Sequence, residues 1–506
     1  MQESARWDLN RLYLNEDILF PILELKEQYF VTKDVEILSK LIQAIEKAEY
    51  YLYCRSVEES VPSDLTKLTV KVKELKSELQ QVIKHNEVET SDNTKLIKDE
   101  LNAWENMYIQ LRDRIEIEHN NKLLSFGQAN TIAMNSDNEK ERLEVFDSLT
   151  CALHKEKEIF ATVLNQVGRL RNAKSNEIED REILTQSFHA NGISETVLFQ
   201  GKASITWHEL MTVKESNEVM IPFSVAVQNV YDACKNIDEE LAEFARNAIE
   251  SGWIDAEPRE NKPPGGFCAP FFSEKESRIS MRYDGSIDSV RVLAHELGHA
   301  WHFYNMSFEQ STSFLDDYLP MSTAESASIF FETVLLNYLI ETTDSKDMKK
   351  SLLSWKIRNS FNYVMAIRAS YQFEKTFYEK CKEGPLSADE IEKLSIMAQK
   401  EAYGKALSEY QPFVWMKYIQ FYIADVPFYN YPYTFGYLVS FSLLEIAQEG
   451  KSTFHSKYKE FLRETGKAPV EELMKKHFEI DIRNYEFWNK AFIQISKDIV
   501  EYLQLI

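Results

Sequence analysis

Leu293-Ala-His-Glu-Leu-Gly-His-Ala-Trp-His302 carries the pattern His-Glu-x-x-His inside a run that reads as helix. Two histidines four residues apart lie one above the other on one helical face. His295 and His299 can therefore place two ring nitrogens on a single zinc ion. Glu296 sits about 100° around the helix, too far to chelate with them and close enough to hold a water on that ion. That is the position of a general base in metal-assisted peptide hydrolysis. The competing reading is an amphipathic helix with two ordinary histidines.

A helix so placed needs a cap before it and a third ligand from somewhere. Ser286 or Asp288 serves as the cap, and Val290, Leu293, Ala294 and Leu297 form the buried side. His302 follows His299 by three, but lies about 10 Å up the axis from His295 at about 1.5 Å per residue, so one straight helix cannot bring all three to one ion. The arrangement with a glycine six and a histidine ten positions after the first histidine fails, because Trp301 and Asn305 stand there. The third ligand must come from a second helix, Ser322 to Leu336, in which Glu325 is the candidate. Small neighbours Ala324, Ser326, Ala327 and Ser328 favour close approach of two helices. Ser322-x-x-Glu325 is also a capping box, in which Glu325 would bond back to the Ser322 amide. Glu332, two turns further on, falls on the face of Glu325 and is a candidate to fix a ligand histidine.

The 506 residues leave room for two or three domains, and 44% hydrophobic with 12% aromatic content supplies a large core. A net charge of -23 argues against nucleic acid and anionic membrane surfaces, which need clustered cations. Five scattered cysteines without a C-x-x-C pair fit a reducing compartment. The N-terminus lacks the basic and apolar segments of a signal peptide, and no run reaches about 18 uninterrupted apolar residues. A soluble cytoplasmic protein is expected.

Along the chain, helix is expected to about residue 185. Leu65, Leu68, Val72, Leu75, Leu79 and Val82 alternate spacings of three and four, a seam that calls for another helix in a hairpin. His85 to Lys95 breaks the pattern. Further helices are expected over Glu144 to Gln166 and Phe223 to Ile249. From Gly252 proline and glycine concentrate, then Ser277 to Tyr283 alternates like a short strand before Asp284-Gly285. A loop leading into a small sheet is one reading; an extended edge that pairs with an extended peptide is the compatible functional one. Cys268 is not expected to act as a nucleophile, because the histidines are better explained as metal ligands.

HELGH at 295–299, PMSTAESASIFFET at 320–333, WIDAEPRENKPPGGFC at 253–268 and ESRISMRYDGS at 276–286 together resemble one group. It is the oligoendopeptidase F branch of the thimet-oligopeptidase-like zinc peptidases, the M3 family. WDLNRLY at 7–13, PFYNYPYTFGYL at 427–438 and FLRETGKAPVEELMKKHFEIDI at 461–482 are similar to that branch too, so the resemblance spans nearly the whole chain. It implies a mainly α, elongated, two-lobed helical body with a deep central channel and a small β-sheet beside the zinc-binding helix. His295, His299 and Glu325 match the metal ligands, and Glu296 matches the general base.

Hydrolysis at zinc develops an oxyanion, and tyrosine hydroxyls are suitable donors for it. A Gly-Tyr-Leu in the family carries such a tyrosine, which maps onto Tyr437; Tyr429, Tyr431 and Tyr433 are weaker candidates. Similar chains read His-Phe-Tyr where this one has Gln420-Phe-Tyr, and no histidine occurs between His302 and His455. Gln420 can donate a neutral N–H but supplies no imidazolium.

The expectation is an N-terminal helical lobe over 1–185 and a catalytic region over 186–506, with one zinc per chain, acting on short unstructured peptides as a monomer or small homo-oligomer. The alternative is a metal-binding, peptide-binding protein with weak turnover, motivated by Gln420.

Overall fold

Apolar seams spaced by three and four residues build the first three helices, α1 (Leu19–Thr32), α2 (Val35–Ser56) and α3 (Leu65–Lys84). In α3 the seam residues Leu65, Val72, Leu75 and Leu79 are buried, and they meet Leu41, Ile45, Ala48 and Leu52 of α2 and Ile22 of α1 in one cluster. Each of these leucine, isoleucine and valine side chains contributes about 1.5–3 kcal/mol by leaving water. The hairpin partner that the seam called for is therefore α2. Asp34 starts α2, its carboxylate accepting from the amides of Glu36 and Ile37.

The computed structural model describes residues 6–13, 18–58, 64–84, 92–136, 138–177, 220–259, 262, 265–306, 319–404, 410–424, 426–449 and 451–506. Helix dominates throughout. α4 (Asp92–Asp113) begins inside the stretch expected to break the helical pattern. It is followed by an antiparallel hairpin of β1 (Glu116–His119) and β2 (Lys122–Ser125), which the helical reading of this region did not foresee. Asn120 and Asn121 turn it with φ of 50° and 59°, a conformation that asparagine tolerates better than most residues. The short α5 (Phe126–Asn135) then starts on a Ser125/Gln128 capping box, and α6 (Glu139–Glu177) runs well beyond the expected Glu144 to Gln166.

The helix expected over Phe223 to Ile249 is two helices, Phe223–Ile237 and Glu239–Glu250. Asp238 separates them: its backbone is extended (φ -161°, ψ 142°) and its side chain caps the second helix at the Glu240 amide. Apolar periodicity continues across the break, which is why it reads as one element.

The composition change after Gly252 is a three-stranded sheet in the order β3-β5-β4, from β3 (Ile254–Asp255), β4 (Gly266–Phe271) and β5 (Glu276–Met281). β5 is the strand expected near Ser277 to Tyr283. β4 falls where proline and glycine suggested a loop, and it pairs antiparallel with β5 from Gly266↔Met281 to Phe271↔Glu276. Among the described residues β4 has no strand on its other side. Ala269 and Phe271 join the core cluster of α1–α3, which anchors β4 from behind. Buried Lys262 ties the sheet, donating to the Asp255 and Met281 carbonyls at 2.8 and 2.9 Å and pairing with the Asp255 carboxylate at 3.0 Å.

Two compact units result. Met1–Glu89, Glu218–Leu352 and Gly436–Gln494 form the first, and Thr90–Asn217, Leu353–Phe435 and Ile495–Ile506 the second. The boundary expected near residue 185 lies outside the described residues. No helix among the described residues is long and apolar enough to cross a membrane.

Candidate metal centre

Two helices of the first unit build the site. The motif helix, Ile287–Asn305, is capped by Ser286, whose hydroxyl accepts from the Ser289 amide at 3.2 Å; Asp288 lies in the first turn. The glutamate helix, Met321–Thr342, starts at Pro320 with no side-chain cap. Ser322 is thus already within the helix, and the capping-box alternative for Glu325 does not form. Instead the Ser328 hydroxyl donates to Glu325 Oε2 at 3.0 Å.

The helices meet at Gly298, between the two histidines. A Cβ there would stand 2.6 Å from the Ala327 carbonyl oxygen and 2.6 Å from Ser328 Cα, so only glycine permits this separation. The close approach foreseen from small residues on the glutamate helix thus needs a small residue on the motif helix as well.

At this spacing His295 Nε2 lies 3.2 Å from His299 Nε2, 3.5 Å from Glu325 Oε2, and His299 Nε2 is 3.8 Å from that same oxygen. Tetrahedral zinc with bonds of about 2.0–2.1 Å separates its ligand atoms by about 3.3 Å. The triangle fits such an ion. His295 Nδ1 faces Glu332 Oε1 at 2.5 Å, a contact that in the neutral imidazole keeps the ring proton on Nδ1 and leaves the Nε2 lone pair for the centre of the triangle. Arg291 donates to the same Glu332 oxygen at 3.0 Å. Burial opposes a charge on His295, but the Glu332, Glu325 and Glu296 carboxylates outweigh it and raise the imidazole to about 9. Burial, and then the neighbouring His295 and His302, hold His299 well below its ordinary value.

Glu296 is buried beside this triangle. Burial pushes its carboxyl up to about 7, the His295 charge opposes and the Glu325 charge adds. A carboxyl poised near neutrality is suited to taking and returning a proton. Strand β4 closes over it: a Cβ on Gly266 would come 2.7 Å from Glu296 Oε1.

His302 points elsewhere. It is fully buried, its Nε2 lies 2.7 Å from Thr465 Oγ1, and burial lowers it to about 3. Cys268, on β4, is held protonated by burial and then by the Glu296 charge, as expected of a residue that is not a nucleophile.

Tyr437 is buried on the helix Tyr431–Glu449, its ring 4.8 Å from that of Phe441. This helix is fastened to the glutamate helix on either side of Tyr437. Gly436 lies so close that a Cβ would meet the Glu325 carbonyl carbon at 3.0 Å, and the Ser440 hydroxyl donates to the Ser326 carbonyl at 2.9 Å. Gln420 and Tyr429 belong to the second unit. Gln420 is half-buried in the 3₁₀ turn Ile419–Phe421, and the Tyr429 and Tyr433 hydroxyls are 3.2 Å apart. Tyr431 is buried.

The sequence reading missed Arg291 and Gly266, and it read Ser328 only as a small neighbour, not as a donor to Glu325. Arg291 precedes His295 by four and Ser328 follows Glu325 by three, so helical spacing was a usable signal for both. Gly266 had none before β4 was known to be a strand.

The sequence profile of Peptidase family M3 matches residues 212–493, more than half of the chain, and the chain belongs to that family. Oligoendopeptidase F, chromosomal, of Lactococcus lactis subsp. cremoris is 23% identical over 305 residues, covering 59% of this chain and 49% of that protein. Oligopeptidase PepF of Bacillus subtilis is 23% identical over 461 residues, covering 85% and 66%. The chain spans about half the length of the curated relatives it matches. Among solved structures, a Chlamydophila abortus chain described as a peptidase superposes with a TM-score of 0.81 at 19% identity, covering 100% of this chain and 99% of that one. Oligoendopeptidase-F from Enterococcus faecium gives 0.63 at 15%, covering 98% of each. These likenesses establish the fold.

Proposed function

We propose that the protein is a zinc-dependent endopeptidase that hydrolyses short, unstructured peptides. The triangle of His295, His299 and Glu325 with Glu296 buried beside it carries this reading. One zinc ion per chain held there would supply Lewis acidity to a peptide carbonyl and make a water molecule more acidic. Glu296 takes the proton from the attacking water and delivers it to the leaving amine. Glu332 keeps His295 in the ligating tautomer, and Arg291 keeps Glu332 charged. Tyr437 donates to the developing oxyanion, with Tyr429 and Gln420 as further polar donors to the peptide.

Among the described residues no strand lies beyond β4, and that edge supports an extended substrate. An incoming strand gains main-chain hydrogen bonds there within reach of Glu296, whereas a folded protein has no unpaired segment to offer. Cytoplasmic peptides are the substrate class, consistent with five unpaired cysteines and an acidic chain. The working form is a monomer or small homo-oligomer.

The test is a quenched peptide incubated with the zinc-loaded protein, with and without chelator, beside Glu296→Gln. Cleavage that needs metal, and a variant that keeps wild-type zinc with turnover down by at least a hundredfold, support the reading. Loss of zinc along with activity in Glu296→Gln overturns the role given to Glu296. Zinc binding and peptide binding without cleavage would instead favour a peptide-binding protein of weak turnover.

A further inference from the structure

The second unit buries an ion pair that the proposed mechanism does not use. Arg171 and Glu374 are 3.8 Å apart with side chains 2% and 3% exposed. Tyr378 bridges them: its hydroxyl accepts from Arg171 and donates to Glu374 Oε2 at 2.9 Å. The rest of the pair's bonding goes to one segment of backbone. Arg171 donates to the Phe421 carbonyl at 3.4 Å and to the Ile423 carbonyl, and Glu374 Oε2 accepts from the Phe428 amide at 3.0 Å. Glu105 adds a fourth tie, accepting from the Ala424 amide at 2.8 Å.

This segment needs holding. Phe428 has φ of 55°, a left-handed conformation that a bulky L residue adopts only when its surroundings impose it. Its ring packs on Tyr371 and Tyr378, with centroids 5.4 Å away in each case. Beyond it, the Thr434 hydroxyl is bonded to the Tyr363 carbonyl in a π-helical turn, Asn362–Ala366, a distortion that redirects a carbonyl out of the regular helix. A buried ion pair gains little net stability over apolar residues of equal volume, because its desolvation offsets its attraction. What it offers is direction: donors and acceptors fixed against particular backbone atoms.

The residues at the ends of the clamped segment are Gln420 on one side and Tyr429, with its partner Tyr433, on the other. We infer that Arg171, Glu374 and Tyr378 form a positioning cluster that fixes the backbone at Phe421, Ile423 and Phe428 and thereby the geometry in which Gln420 and the Tyr429–Tyr433 hydroxyl pair meet a peptide. The inference rests on the endopeptidase reading above. Arg171 and Glu374 touch neither metal nor substrate and act through the segment they hold.

The experiment uses the full zinc-loaded chain. Arg171→Lys keeps the cation but loses the fork that reaches two carbonyls. Amide exchange at 421–424, 426 and 428 is expected to accelerate at least tenfold in this variant, with exchange in 288–306 and 321–336 and zinc content unchanged. Turnover of a quenched peptide is expected to fall at least tenfold in kcat. In a Gln420→Ala/Tyr429→Phe/Tyr433→Phe background the same change should cost less than twofold more, because the groups it positions are gone. Unchanged exchange at 421–424, 426 and 428 overturns the clamp whatever the activity. Faster exchange with full kcat, or equal losses in both backgrounds, overturns the link to turnover while the peptidase reading stands. A wild-type chain without peptidase activity overturns that reading instead, and the exchange result still decides the clamp. If Arg171→Lys does not fold, Glu374→Gln is measured by the same criteria.

Discussion

Glu332 Oε1 stands 2.5 Å from His295 Nδ1 and 3.0 Å from an Arg291 nitrogen, so one carboxylate oxygen serves both the proposed ligand histidine and a cation four residues before it. Removing its charge while keeping its shape should loosen His295 without deleting a ligand. Glu332→Gln is expected to weaken zinc binding about 10–100-fold, as loss of such an orienting partner does elsewhere. Chelator competition measures it, and wild-type affinity would show that the contact does not tune the site.

Glu325→Ala and His302→Ala separate ligand from core. The first removes one corner of the triangle and should release zinc at micromolar chelator. The second removes a buried ring bonded to Thr465 and should retain zinc while costing about 2–4 kcal/mol of stability. Elemental analysis and denaturant unfolding read the two effects. Zinc loss from the His302 variant at a temperature where it is folded would return His302 to the ligand set.

Gly298→Ala tests the helix spacing. A methyl group placed 2.6 Å from backbone atoms of the facing helix must push the helices apart. Overpacking of this kind costs about 1–3 kcal/mol, and the triangle should widen with it. A lowered unfolding midpoint together with weaker zinc affinity is expected, and affinity unchanged in a destabilised variant would show that the ligands adjust independently of the backbones.

Gln420→His addresses the departure from similar chains. If position 420 meets the transition state, an imidazole there should raise kcat more than it lowers KM, since the bond forms as negative charge develops. Donors of this kind are worth on the order of tenfold to a thousandfold. An unchanged kcat in a folded, zinc-loaded variant would remove residue 420 from the mechanism, and with it the argument for an impaired enzyme.

The cluster of His295, His299 and Glu325 was legible because helical geometry is periodic: four residues separate His295 from His299, and exclusion of His302 forced the search to a second helix. Glu332 followed from the same period applied to Glu325. β4 was not legible, since Gly265-Gly266 and Pro270 signal a loop by composition, and only pairing with β5 and packing on α2 make the segment extended. The break at Asp238 was hidden because burial continues on both sides of it. Arg171 and Glu374 were invisible for another reason. Each is a single charge on a helix, indistinguishable from a surface residue until the backbone of Phe421, Ile423 and Phe428 is brought against it.

An ion bound at the triangle would couple metal loading to folding through the contact at Gly298. His295 and His299 ride on one helix and Glu325 on the other, so an ion at their centre is a cross-link across the packed interface that Gly298 permits. Whatever binds the assembled pair and not the separated helices stabilises the fold by mass action, about 2.7 kcal/mol when free ligand is at a hundred times its dissociation constant. The cellular supply of zinc would then govern how long the chain survives proteolysis as well as how fast it works.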